Sequence, residues 1–160
     1  MSILYDFEPT KYNNEHTGVL RVSYNNVEFG AYMQEKAKDL MRDVEQLNMD
    51  LKREFLRAFF DDEGCMDFRP VKNKRSIRGY QKDIKVLNAV KNLLQGFGVE
   101  ARVVMPNEVV ITGKENLLCF EREINFSSGV YINGNRSNSR WKKDLEKRAI
   151  LRMAIESYKS

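Results

Sequence analysis

The chain of 160 residues is 42% hydrophobic and 31% charged with a formal charge of +4, which describes a soluble globular protein with length enough to bury a core. One histidine (His16) and two cysteines (Cys65 and Cys119) leave almost nothing for a histidine-built metal nuclease, a Ser-His-Asp triad or a disulfide framework. No apolar run is long enough to span a bilayer, and Met1–Asp6 has neither the basic start nor the apolar core of a signal peptide, so an intracellular protein is expected, in the cytoplasm or in a eukaryotic organelle.

Residues 1–18, with Pro9, Asn13, Asn14 and Gly18, predict irregular structure. Val19–Tyr24 alternates as a short strand, and a helix is expected from about Glu28 to Asn48, with Phe29, Tyr32, Met33, Ala37, Leu40, Met41, Val44 and Leu47 at helical spacing. Asp50 is a fair N-cap for the next helix. There Leu51, Phe55, Ala58 and Phe59 share a stripe that Leu56 and Phe60 widen, and the helix ends in Asp61-Asp62-Glu63-Gly64. Anions are disfavoured at a helix C-terminus, where cations usually sit. Gathered carboxylates beside exposed carbonyls make either a hard-oxygen site for Mg²⁺ or another divalent ion, or a plain solvated helix end.

Beyond Gly64 the period changes to two. Cys65–Val71 and Ser76–Tyr80 predict a hairpin turned at Asn73-Lys74; in the first strand Met66 and Phe68 point one way and Asp67 and Arg69 the other, and in the second Ser76, Arg78 and Tyr80 share a face. An antiparallel ribbon presenting Arg and Tyr fits a DNA major groove. A helix from Asp83 to about Gln95, strands Val99–Met105 and Glu108–Thr112 around Pro106-Asn107, a helix from Gly113 to about Ile124, a polar loop and a last helix from about Trp141 to Tyr158 complete the chain. From the central helix on, the order is αββαββα: an α+β fold with helices on one face of a four-stranded antiparallel sheet. Residues 1–160 read as a single domain, with an N-terminal extension and helix (1–48), a helix and sheet core (49–126) and a basic loop and C-terminal helix (127–160).

Positive charge is concentrated. Residues 69–85 hold Arg69, Lys72, Lys74, Arg75, Arg78, Lys82 and Lys85 against Asp83 alone, and Arg136, Arg140, Lys142, Lys143, Lys147 and Arg148 form a second cluster. Beside a carboxylate group this suggests a polyanion held against a metal; otherwise it is a solubilising surface.

The stretch Leu56-Arg57-Ala58-Phe59-Phe60-Asp61-Asp62-Glu63-Gly64 resembles the LAGLIDADG motif of homing endonucleases, closest to archaeal-style versions ending in Asp-x-Glu-Gly. Tyr80-Gln81-Lys82 before a helix, Leu93-Leu94-x-x-Phe97-Gly98-Val99 and Ile111–Leu117 are similar to members of the same family, so the resemblance covers roughly residues 51–126. It implies that Glu63 binds a catalytic divalent cation, Mg²⁺ or Mn²⁺, with the Gly64 carbonyl as a further ligand. Asp61 would support the helix end and Gln81 would order water near the scissile phosphate. A basic residue assists in many members, and Lys82, Lys114, Arg140 and Lys142 are candidates for it.

The motif departs from the family pattern at Ala58, where glycine is usual, and at Asp62, where a small residue is usual. It occurs once, so the resemblance implies a homodimer. Phe55, Ala58, Phe59 and Asp62 would lie at its two-fold interface, and the target would be a near-palindromic double-stranded DNA. Asp67, Arg69, Ser76, Arg78, Tyr80, Glu100 and Arg102 are candidates for groove contacts, with Lys72, Lys74, Arg75, Arg136, Arg140 and Lys142 adding basic surface. The expected activity is metal-dependent hydrolysis of DNA phosphodiesters by activated water. A catalytically inactive relative that binds DNA or RNA, as an intron maturase or regulator, is the alternative.

Overall fold

The computed structural model describes residues 9–14, 19–23, 26–132 and 141–159, in two compact units, Met1–Leu40 and Met41–Ser160. In the first, β1 (Thr10–Asn14) pairs antiparallel with β2 (Val19–Ser23), setting Lys11 opposite Val22 and Tyr12 opposite Arg21. The strand at Thr10–Asn14 replaces the irregular segment expected there. Its sequence carries no apolar alternation, and its extended form comes with the β2 ladder. Helix α1 (Val27–Asp43) opens with Asn26 Oδ1 accepting from the Phe29 amide at 2.9 Å and buries none of its residues. It stops short of the expected Asn48: its last residues, from Met41, belong to the second unit, where a 3-10 turn, Val44–Gln46, ends it and buries Val44.

In the second unit α2 (Met49–Glu63) is capped by Asn48, whose Oδ1 accepts from the Leu51 amide at 2.9 Å. The expected cap, Asp50, sits inside the first turn and pairs with Arg53 at 2.7 Å. Strand β3 (Gly64–Arg69), a 3-10 turn at Pro70–Lys72 and left-handed Asn73 lead into β4 (Lys74–Tyr80). Then come α3 (Ile84–Gly96), β5 (Ala101–Val104), β6 (Glu108–Thr112) and α4 (Lys114–Glu123). The sheet is antiparallel in the order β3-β4-β6-β5, so the αββαββα reading holds. The final helix, α5 (Lys147–Glu156), starts later than Trp141, because Leu145–Glu146 (β8) is held extended against Tyr131–Ile132 (β7).

Alternation and register divide the sheet into two faces. Met66, Phe68, Ile77, Val109 and Ile111 pack under Leu56, Phe59 and Phe60 of α2, Leu87, Val90 and Leu94 of α3, Leu117 and Phe120 of α4, and Ile150 and Leu151 of α5. The open face carries Cys65, Asp67 and Arg69 of β3, Lys74, Ser76, Arg78 and Tyr80 of β4, Glu108, Val110 and Thr112 of β6, and Arg102 and Val104 of β5. Helix α2 turns Leu56, Phe59 and Phe60 inward. Leu51 and Ala58 are exposed and Phe55 is half-buried, so the single stripe expected from the sequence is two stripes.

Two glycines set the distance between α2 and the sheet. A Cβ on Gly79 would stand 2.6 Å from a Phe59 ring carbon, and one on Gly64 would stand 2.4 Å from the Phe60 carbonyl oxygen. The Phe60 clash is with backbone and cannot relax by rotamer change. The motif's last glycine is therefore required by the sharp exit from helix to strand.

The acidic helix end and the open sheet face

The three carboxylates that end α2 are not equivalent. Asp61 is half-buried and its Oδ1 accepts from the Ser127 amide at 2.9 Å, tying the helix end to the loop after α4. Asp62 and Glu63 are exposed and have no hydrogen-bond or ion-pair partner among the described residues. Among those residues no group of three or more His, Cys, Asp and Glu is placed to hold a metal ion. One chain thus offers two hard-oxygen carboxylates. They suit a hard divalent cation in kind, and a second copy would be needed to raise their number.

Beneath this acidic end lies Lys147, which the sequence shows only as one member of a basic cluster. It is buried, and its Nζ donates to three carbonyl oxygens, those of Phe60 (3.3 Å), Asp61 (2.5 Å) and Gly64 (2.6 Å). Burial pushes its pKa below the ordinary lysine value, against the pull of Asp61, Cys65, Asp62 and Glu63. The signal for such a residue is the acidic helix end itself: with no cation in its last turn, α2 calls for one from elsewhere in the chain. The Gly64 carbonyl, expected as a metal ligand, already accepts from this ammonium.

Of the other catalytic candidates, Gln81 and Lys82 follow β4 at the end of the sheet where Gly64 pairs with Gly79. The Gln81 Oε1 folds back to accept from the Lys82 amide at 2.7 Å. Lys114 follows β6 at the opposite end, beyond the Ser76–Thr112 pair, so the register does not bring it to Glu63. Lys142 is exposed with a left-handed backbone; Arg136 and Arg140 lie outside the described residues.

The open face carries a charge network centred on Asp67. This buried carboxylate lies 2.7 Å from Arg69, 2.9 Å from Lys74 and 3.5 Å from Arg78. Burial works to raise its pKa, but Lys74 and then Arg69 outweigh burial and hold it below the usual carboxylate value. Arg78 donates from Nε to Glu108 Oε2 at 2.9 Å and from a second nitrogen to both Glu108 oxygens, and its guanidinium lies 5.4 Å from the Tyr80 ring centre. Glu108, unremarked in the sequence, therefore governs how Arg78 is presented. Ser76 Oγ is buried beside this network with no hydrogen-bond partner among the described residues. Arg102 and Lys72 are exposed, the latter at the tip of the β3–β4 turn.

Arg75 departs from its expected place. It stands on the helix-facing side of β4, donating to Ser157 Oγ at 2.6 Å with its guanidinium 4.6 Å from the Tyr158 ring centre, because odd positions of β4 face away from the open side. Phe59 likewise sits in the chain's own core, whereas Ala58 and Asp62 are exposed on α2.

Residues 50–125 match the family model described as a LAGLIDADG-like domain, a span that runs from the first turn of α2 to the end of α4. Over these residues, just under half of the chain, the αββαββα segment is similar to the LAGLIDADG family. No curated protein and no solved structure gives a match to the chain. No helix among the described residues is long and apolar enough to cross a membrane.

Proposed function

We propose that the chain is a site-specific DNA endonuclease of the LAGLIDADG family that acts as a homodimer. The observation that carries this reading is the pair of exposed carboxylates, Asp62 and Glu63, unengaged among the described residues, at the end of a helix matched to the family model, beside a sheet whose open face bears Arg69, Lys74, Arg78 and Arg102. The cationic face binds the phosphate backbone and base edges. Glu63, with Asp62 beside it and the Gly64 carbonyl left to Lys147, would hold a divalent cation such as Mg²⁺, which when bound would supply a low-pKa water and stabilise charge on the phosphoryl oxygens. The two-fold axis runs beside exposed Leu51, Ala58 and Asp62 and half-buried Phe55, bringing the Glu63 of each copy to a shared centre.

Within one chain, Gly64 sets the helix end against the sheet, Asp61 anchors it to the Ser127 amide, and Gln81 sits at the same sheet end, poised to order solvent. Of the candidates Lys82 and Lys114, Lys82 follows the strand that ends beside Gly64, and in this reading it is the basic residue that assists. The test is selection of cleaved sites from a randomised duplex library with Mg²⁺, run with the wild type and Glu63→Gln. A cleaved consensus with two-fold symmetry, absent with Glu63→Gln, is the expected result. Bound but uncut DNA in every library round would replace this reading with the non-catalytic one.

A further inference from the structure

The family match ends at residue 125, yet the buried cation of the acidic helix end comes from residue 147. The C-terminal segment reaches the site by several ties. The Lys147 amide donates to the Val130 carbonyl at 2.9 Å, Glu146 Oε1 accepts from the Gly129 amide at 2.6 Å, and the Ser127 amide donates to Asp61. Loop 127–130 and the start of α5 therefore form one bracket around the end of α2.

Two properties of this bracket bear on Glu63. The Lys147 ammonium donates to the carbonyls of Asp61 and Gly64, on either side of Glu63 in the chain, so the backbone that aims the Glu63 side chain is held from both sides. Among the described residues its three hydrogen bonds all go to carbonyls and none to a carboxylate. Its charge thus offsets the helix dipole and three adjacent acids while leaving Asp62 and Glu63 open to an external cation. A cation in the last turn of α2 itself would have been drawn into pairing with those same carboxylates.

We propose that Lys147 is a positioning residue for Glu63: a buried helix cap that fixes the catalytic acid's backbone and tolerates the acidic end without occupying it. The proposal rests on the reading of Glu63 as the site's acid. It is tested by a double-mutant cycle of Lys147→Met and Asp62→Asn, followed by thermal unfolding in EDTA without DNA. In the wild-type background Asp62→Asn should move the midpoint little; in the Lys147→Met background it should raise it, because the uncompensated anion is removed. Equal shifts in both backgrounds would overturn the electrostatic role.

The positioning role has its own readouts. Lys147→Met should bind DNA in EDTA as the wild type does, bind Mn²⁺ (followed by water-proton relaxation) about 10–100-fold more weakly, and lose turnover at saturating DNA. Unchanged Mn²⁺ binding and turnover in the folded variant would overturn it. Should Lys147→Met not fold, Lys147→Gln, which retains donors without charge, serves in the same measurements. A Glu63→Gln variant that still cleaves would end the nuclease reading while leaving the metal-free cycle intact, so the two failures are distinguishable.

Discussion

Two groups of carboxylates in this molecule are treated in opposite ways. Asp62 and Glu63 end α2 exposed and, among the described residues, unengaged, with their balancing cation bonded to the backbone behind them. Asp67 and Glu108, on the open sheet face, are surrounded by Arg69, Lys74 and Arg78. The first arrangement keeps anionic oxygen available to something outside the chain. The second consumes it to hold cations in fixed poses on the face that the proposed function gives to DNA. Availability rather than charge is what separates a candidate catalytic acid from a scaffolding one.

The sharpest way to break the contrast is Glu63→Gln. Cleavage should be abolished while the urea unfolding midpoint stays within about 0.5 kcal/mol of the wild type, since the side chain is exposed and unengaged. A large loss of stability would mean that Glu63 is a structural acid after all. The mirror experiment is Asp67→Ala, which leaves three cations crowded without their shared anion. It should cost about 1–3 kcal/mol in urea unfolding, less than a fully buried pair because Arg69 and Lys74 are half exposed.

The same residue predicts a pH dependence. Its folded pKa is lowered, so its stabilisation is fully present above the unfolded value of about 3.9 and is lost as pH falls through the lower folded value. Wild type should therefore lose more stability than Asp67→Ala on acidification below about pH 4. Parallel acid curves for the two proteins would remove the network from the account.

Ala58→Leu probes the exposed stripe instead. Overpacking of about 1–3 kcal/mol per site, counted on both copies, should shift the protein to monomer in sedimentation and remove double-strand cleavage while each monomer stays folded. A dimer that cuts both strands normally would place the interface elsewhere. The smallest effects are expected on the open face. Glu108→Gln loosens Arg78 and should alter base preference at one position per half-site by about 1–3 kcal/mol, whereas Lys72→Ala should weaken binding to all sequences alike and lower the salt slope by about one. Uniform weakening by both variants would deny Arg78 a reading role.

Local pattern carried much of this protein. The period-two alternation from Cys65 to Tyr80 was enough to sort Met66 and Phe68 from Asp67 and Arg69 and to set Ser76 with Arg78, because successive side chains of a strand have nowhere to go but opposite faces. Arg75 was misassigned by charge although its odd position already placed it with Ile77 on the core side. The helix caps were harder: Asn48 and Asp50 are both good capping residues, and which one caps depends on where the chain leaves the preceding 3-10 turn.

The order αββαββα, the acidic ending of α2 and the glycine after it are properties of neighbouring residues, governed by backbone sterics and side-chain period, and they are legible without coordinates. Lys147 bonding carbonyls 83 to 87 residues earlier in the chain, the closure of Arg78 on Glu108, and the division of α2 into a core stripe and an exposed stripe were decided by tertiary structure alone. Each depends on which surfaces meet when the sheet and helices pack. The cost of a buried charge, and the partner that relieves it, exist only once that packing has excluded water.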